Sequence, residues 1–232
     1  MQAKGNDTKN THITSSNLSH LFHSIQTSPQ AVIILQSLLH KESPIAILLE
    51  GCSFTENINE LSRLIAPRHN ALDRVYVIDI NPIIIDKLHS YILQHPELSQ
   101  IYLQVADIHN LPYENNSFDV VINNFTMNYS QSTRDDARTL SEIHRVMHTR
   151  DSICVLSIGV TMPSHPLSYS TNHEYVVETA TVMHPLSHYL SLFVSEGFIA
   201  VEFEHEKNQS INSSAAQFPY HRFMLTPYEN AH

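Results

Sequence analysis

Between residues 45 and 158 short apolar runs alternate with amphipathic stretches, and this alternation constrains the fold more than any other feature of the chain. Ile45 to Leu49 is a continuous apolar run ending at Glu50-Gly51, the pattern of a strand buried on both faces. Beyond it Ile58, Leu61, Leu64 and Ile65 recur at helical spacing, and Ser53-Phe54-Thr55-Glu56 has the form of a capping box with Ser53 as N-cap and Glu56 at N3. Val75 to Ile80 predicts the second strand. Asn81-Pro82 then supplies the N-cap and first residue of a helix with the stripe Ile84, Ile85, Leu88, Tyr91 and Ile92. Ile101 to Val105, Phe118 to Ile122 and Ile153 to Ile158 predict three further strands. Ala137, Leu140, Ile143 and Val146 mark the helix between the last two. The order β-α-β-α-β-β-α-β predicts an α/β fold with a doubly wound, mostly parallel sheet and helices on both faces. Such sheets bind ligands outside the carboxyl ends of their strands, near the switch point. The sequence places Glu50-Gly51, Asp79, Asp107 and Asn123-Asn124 there.

The flanks read as additions to that unit. Residues 1–15 are rich in Asn, Thr, Lys and Ser and predict a disordered tail. Leu18, Leu21, Phe22 and Ile25 predict a short helix, and Ser28-Pro29 opens a second one carrying Ile34, Leu35, Leu38 and Leu39. Ala66 to Asp73 reads as an extra surface loop and 160–184 as an insertion. Leu186, Tyr189, Leu190, Phe193 and Val194 predict a last helix ending at Gly197. Phe198 to Phe203 and Arg222 to Leu225 then bring the sheet to seven strands. The expectation is one domain over 16–232, with 17–41 and 160–195 as cap or substrate elements.

Composition narrows the function. The 232 residues include four glycines, where average usage near 7% gives about 16. That argues against a Walker A loop or an intact G-x-G-x-x-G turn. The formal charge of −10 repels phosphate backbones, so no nucleic-acid partner is expected. Two cysteines, Cys52 and Cys154, in apolar strand-like surroundings suit reduced thiols. No apolar run reaches membrane-spanning length and the first twenty residues lack an apolar core, so a soluble cytoplasmic protein without membrane contact is expected.

Five segments, in order, resemble the class I S-adenosylmethionine (SAM) dependent methyltransferases: Ile47-Leu48-Leu49-Glu50-Gly51-Cys52, Val77-Ile78-Asp79-Ile80-Asn81-Pro82, Ala106-Asp107-Ile108 with Leu111-Pro112, Phe118 to Asn124, and Glu142 to Met147. The resemblance implies a Rossmann-like fold, SAM as cofactor and methyl transfer by an SN2 step to a small-molecule acceptor. It implies a cofactor site of Glu50, Gly51, Cys52, Ser53, Asp79, Ile80, Asp107, Ile108 and Asn124. In that family an acid at the position of Asp79 binds the ribose hydroxyls, and one at the position of Asp107 contacts the adenine amine. The segment ending in Asn124 borders the methyl-donor pocket. Ser53 and Thr55 stand where the family's glycine motif has further glycines.

Each residue also has a plainer reading. Asp79 suits an Asx turn before Pro82, although Asn81 already fills the cap position. Asp107 suits a turn acid, Asn124 an Asx turn, and Cys52 a small buried side chain. Ile80 and Ile108 offer apolar surface to an adenine. Tyr129, His165, His173 and His184 are candidates for the base that an oxygen acceptor needs, against ordinary surface packing. His184 and His188 stand four apart, a spacing usable by a metal. No third ligand is fixed by the sequence, so no metal is expected. The leading reading is a SAM-dependent methyltransferase. The second is a methyltransferase-like protein that has lost catalysis and acts as a partner subunit or ligand-binding module. On either reading a homodimer or a partner protein is an open expectation. A nicotinamide-dependent oxidoreductase is disfavoured by the missing glycine pattern.

Overall fold

The computed structural model describes residues 18–52, 55–68, 70–148, 151–160, 168–170, 180–206 and 219–228. The expected tail, Ser53, His165 and His173 lie outside the described residues.

The strands are β1 (Ala46–Glu50), β2 (Arg74–Asp79), β3 (Ile101–Val105), β4 (Val120–Asn124), β5 (Ile153–Gly159), β6 (Ser168–Ser170), β7 (Ala180–Val182), β8 (Phe198–Glu206) and β9 (Tyr220–Pro227). Seven form one sheet in the order β3-β2-β1-β4-β5-β9-β8. The first five are parallel, and β9 runs antiparallel to both β5 and β8. The small β6–β7 hairpin, not anticipated from the sequence, lies outside that sheet. The helices are α1 (Leu18–Thr27), α2 (Pro29–Leu39), α3 (Thr55–Ile65), α4 (Pro82–Ile92), α5 (Thr133–Val146) and α6 (Leu186–Ser195). Among the described residues no helix is long and apolar enough to cross a membrane.

Alternation along the strands divides the core in two. Ile47, Leu49, Val75, Val77, Val120, Ile122 and Val155 face α1, α3 and α4, meeting Leu18, Leu21, Ile58, Leu61, Ile84 and Leu88. Leu48, Ile78, Val121, Cys154 and Leu156 face α5 and α6, meeting Leu140, Ile143, Tyr189 and Phe193. Both sheet faces are covered, which explains why the central strands read as unbroken apolar runs. Two helix starts match their sequence signals. Asn81 caps α4 by accepting from Ile83 N at 3.0 Å, and Ser28 accepts from Ala31 N at 3.4 Å ahead of α2.

Two expectations shift. The fourth strand runs from Val120 to Asn124 rather than from Phe118 to Ile122. Phe118 instead makes an isolated bridge with Met147, and Asp119 accepts from Ala46 N at 2.9 Å. Asn123 and Asn124 are therefore strand residues. The segment Ala66 to Asp73 is not simply a surface loop either. Arg68 and Asp73 form a buried ion pair at 2.7 Å, and Asp73 accepts from Ile45 N at 2.9 Å. A charge removed from water needs such partners, so this segment clamps the start of β1.

Candidate functional site

The chemistry gathers where β1, β2 and β4 end side by side. Glu50 pairs in register with Ile78 of β2 and Asn123 of β4, which sets Asp79 and Asn124 one residue further along the neighbouring strands. Neighbouring strands lie about 4.8 Å apart, so these groups end side by side on the carboxyl edge of the sheet. Parallel pairing holds them there, since β1 is the switch point of the sheet.

Glu50 is fully buried. Its Oε2 accepts from Asn123 Nδ2 at 2.7 Å, while Oε1 is buried without a hydrogen-bond partner. Burial pushes its carboxyl up to about 8; Asn123 opposes that shift and the charge of Glu142 adds to it. Gly51 follows at φ +71°, a conformation that suits glycine, and donates to Ile78 O at 2.8 Å. A Cβ at Gly51 would collide with Thr126 Oγ1, so the close approach at this turn is made by Thr126, which donates to Glu50 O at 2.7 Å. Cys52 is fully buried in the core beneath β1, which leaves its backbone at the turn.

Asp79 is buried, and its Oδ1 accepts from Asn81 N at 2.9 Å. The Asx turn therefore forms, and Asn81 separately caps α4. Ile80 next to it is 70% exposed, an apolar surface presented at the strand end. Asp107 is half exposed and engages His109 through its backbone N at 2.9 Å and its ring Nδ1 at 2.7 Å. Ile108 is partly buried against the core on the α5 side, so less of it is presented than of Ile80.

The lip after β4 is held by contacts that the sequence does not advertise. Phe125 adopts φ +64°, an unusual backbone for a bulky residue, and leads into a 3-10 turn over Thr126–Tyr129. Asn123 Oδ1 accepts from Met127 N at 3.1 Å. Asn128 exchanges two hydrogen bonds with Gly159, at 3.0 and 2.8 Å, tying the lip to the end of β5. Tyr129, at the end of that turn, is 36% exposed. Asn123, placed at the strand end by the sequence but not among the expected cofactor residues, is what joins Glu50 to the lip. The signal was an amide pair closing an otherwise apolar strand.

Beside the lip, the first turn of α5 meets the start of α6. Asp136 Oδ2 lies 3.0 Å from His188 Nε2 and 3.5 Å from His184 Nε2. Burial raises the Asp136 carboxyl, opposed by His188, His184 and the nearby Ser130 hydroxyl. Burial lowers the imidazolium of His184, opposed by Asp136.

Residues 51–155 match the profile of a family described as "Methyltransferase domain". No curated protein matches the chain. A SAM-dependent methyltransferase from Methanosarcina mazei superposes with a TM-score of 0.63 at 16% identity, covering 84% of this chain and 98% of that one. The YcgJ protein from Bacillus subtilis gives 0.63 at 10% identity, covering 90% and 100%. A 1,6-didemethyltoxoflavin-N1-methyltransferase from Burkholderia thailandensis, solved with its acceptor and S-adenosylhomocysteine, gives 0.58 at 12% identity, covering 99% and 93%. At these identities the likeness is one of fold. By that profile match, the segment over residues 51–155 is similar to the methyltransferase domain, and the solved structures share its fold.

Proposed function

We propose that the protein binds SAM at the ends of β1, β2 and β4 and transfers its methyl group to a small molecule. The observation that carries this reading is the Glu50 carboxyl, buried at the switch point with one oxygen unpartnered. Such a group calls for a donor or cation brought by a ligand. SAM carries an ammonium and a sulfonium, and when bound it supplies an electrophilic methyl group.

The chain's own residues position and shield. Asp79 holds the ribose hydroxyls, as charge-assisted hydrogen bonds from a rigid strand end suit a diol. Ile80 packs on the adenine, and Asp107 lies beside its amine. The backbone of Gly51 and Cys52 passes the methionine half, and Asn124 with the 125–129 lip borders the acceptor side. Displacement at carbon gains most from alignment, so this ordering supplies much of the rate. The acceptor–carbon bond forms as the carbon–sulfur bond breaks, and an acidic acceptor proton passes to a base. Tyr129, His165, His173 and His184 are the candidates for that base. A small acceptor is supported by the net charge of −10, which disfavours polyphosphate substrates, and by the small acceptor of the Burkholderia relative.

Titration calorimetry with SAM and S-adenosylhomocysteine tests the reading. One site per chain is expected, weakened about tenfold or more by Asp79→Asn, from the 1.5–3 kcal/mol of a charged hydrogen bond. No binding of either compound overturns it. Binding without turnover on any acceptor favours instead a domain that retains the cofactor and has lost catalysis, with Ser53 and Thr55 at the altered glycine positions.

A further inference from the structure

We propose that Asp136, His184 and His188 form a site for a divalent zinc-class metal ion, with a fourth coordination position open. Asp136 lies in the first turn of α5, His188 in the first turn of α6 and His184 just ahead of α6, and the three converge on one point. Asp136 Oδ2 lies 3.0 Å from His188 Nε2 and 3.5 Å from His184 Nε2, and one ligand atom from each of the three lies within 4.8 Å of the other two. In a tetrahedral shell with bonds of about 2.0 Å, neighbouring ligand atoms stand about 3.3 Å apart. The two distances to the carboxylate bracket that value, and the histidine ligand atoms lie within 4.8 Å of each other, so the rings close by at most about 1.5 Å to admit an ion. Among the described residues this is the one group with such geometry.

Burial provides the second observation. The Asp136 side chain is 1% exposed, and Oδ1, its second oxygen, has no hydrogen-bond partner. Each imidazole is 20% exposed, so the site is shielded yet reachable. Two Nε2 atoms within 3.5 Å of one carboxylate oxygen form a cluster that a shared cation would bridge. The rings are braced from behind. Tyr189 is fully buried, its ring centroid lies 6.2 and 5.2 Å from those of His184 and His188, and its hydroxyl accepts from His184 N at 3.5 Å. Two histidines and one carboxylate are a known ligand set for sites that keep a position for water or a substrate oxygen. This site adjoins the lip, because the 3-10 turn over Thr126–Tyr129 leads through Ser130 and the N-cap Ser132 directly into α5. An oxygen-bearing ligand is therefore the chemistry that the open position takes. The inference does not depend on methyl transfer.

The test uses the full chain, stripped with a chelator and titrated with Zn2+ by calorimetry and with Co2+ by visible absorption. One ion per chain and the intense d–d bands of a tetrahedral cobalt site are expected, with a zinc-dependent rise in Tm. The double variant His184→Gln/His188→Gln is expected to lose the ion, the bands and the rise while its circular dichroism is unchanged. His184→Gln alone, which alters a residue ahead of α6, gives the same reading if the double variant does not fold. No stoichiometric ion in the wild-type chain, or an ion retained by a folded variant, overturns the proposal.

Discussion

The two ends of β1 carry buried carboxylates of opposite kinds. At its start, Asp73 accepts from Ile45 N and pairs with Arg68, and Asp119 accepts from Ala46 N and pairs with Lys41 at 3.4 Å. At its end, Glu50 is satisfied at one oxygen only. The same strand is clamped at one edge and left wanting a partner at the other. A chain selected for stability alone would complete both ends. An incomplete end at a switch point is where binding is expected, since functional sites are often locally less stable than the fold requires.

The comparison breaks most visibly at the clamp. Arg68→Ala leaves Asp73 buried without its cation, and breaking such a pair costs about 3–5 kcal/mol. Urea denaturation is expected to show a large drop in the midpoint. SAM binding per folded molecule should stay within about twofold, because the clamp lies at the opposite edge of the sheet. A large loss of binding with the midpoint unchanged would reverse the assignment of the two ends.

Gly51→Ala tests the turn after Glu50. A left-handed backbone costs a non-glycine residue roughly 1–2 kcal/mol. The new Cβ also collides with Thr126 Oγ1. Gly51→Ala/Thr126→Ala is expected to recover the steric part and retain the backbone part, read as non-additivity in a double-mutant cycle. Full additivity would mean that Thr126 is not what fills this turn.

These two variants show why the ends of β1 were unequally legible from sequence. The strands announced themselves because both sheet faces are covered, so each core strand reads as an apolar run. Glu50, Asp79 and Asn124 were visible as polar residues ending such runs. The Arg68–Asp73 clamp was invisible, because a polar stretch with a proline looks like a loop whether or not its charges are buried. Asn123 joins Glu50 across 73 positions of sequence, and Asp136 meets His188 across 52. Contacts of that range come from strand order and helix packing, and no local spacing encodes them. The i,i+4 histidines were seen, and their third partner was not.

Glu50→Gln sharpens the comparison through pH. The folded carboxyl keeps its proton up to about pH 8, whereas in the unfolded chain it releases it near 4.5. Between those values folding takes up a proton, so wild-type stability falls as pH rises through the window and levels off above it. The slope is at most about 1.4 kcal/mol per pH unit. Glutamine has no such slope, so the variant is expected to gain on the wild type as pH rises from about 5 to about 8, by denaturation midpoints measured at both ends. SAM binding should weaken in the same variant. Stability and binding moving in opposite directions identify a residue kept for its ligand. A parallel loss of both would place Glu50 with the structural carboxylates.

The smallest effect is expected at Lys41. Its pair with Asp119 is long at 3.4 Å and the lysine side chain is 26% exposed, so water and salt screen it. Lys41 also donates to Asp151 O at 3.0 Å, at the surface. Asp119 keeps its hydrogen bond from Ala46 N when the lysine is removed. Exposed pairs contribute about 0.2–1 kcal/mol, so Lys41→Met is expected to lower stability within that range. The deficit should shrink further as salt is raised in the denaturation buffer. A loss as large as that of Arg68→Ala, unchanged by salt, would mean that Asp119 depends on its cation as Asp73 does. The clamp at the start of β1 would then consist of two obligatory ion pairs. The weaker dependence expected here instead assigns Asp119 to the backbone: its main partner is the first amide of β1, and the lysine is an addition at the rim.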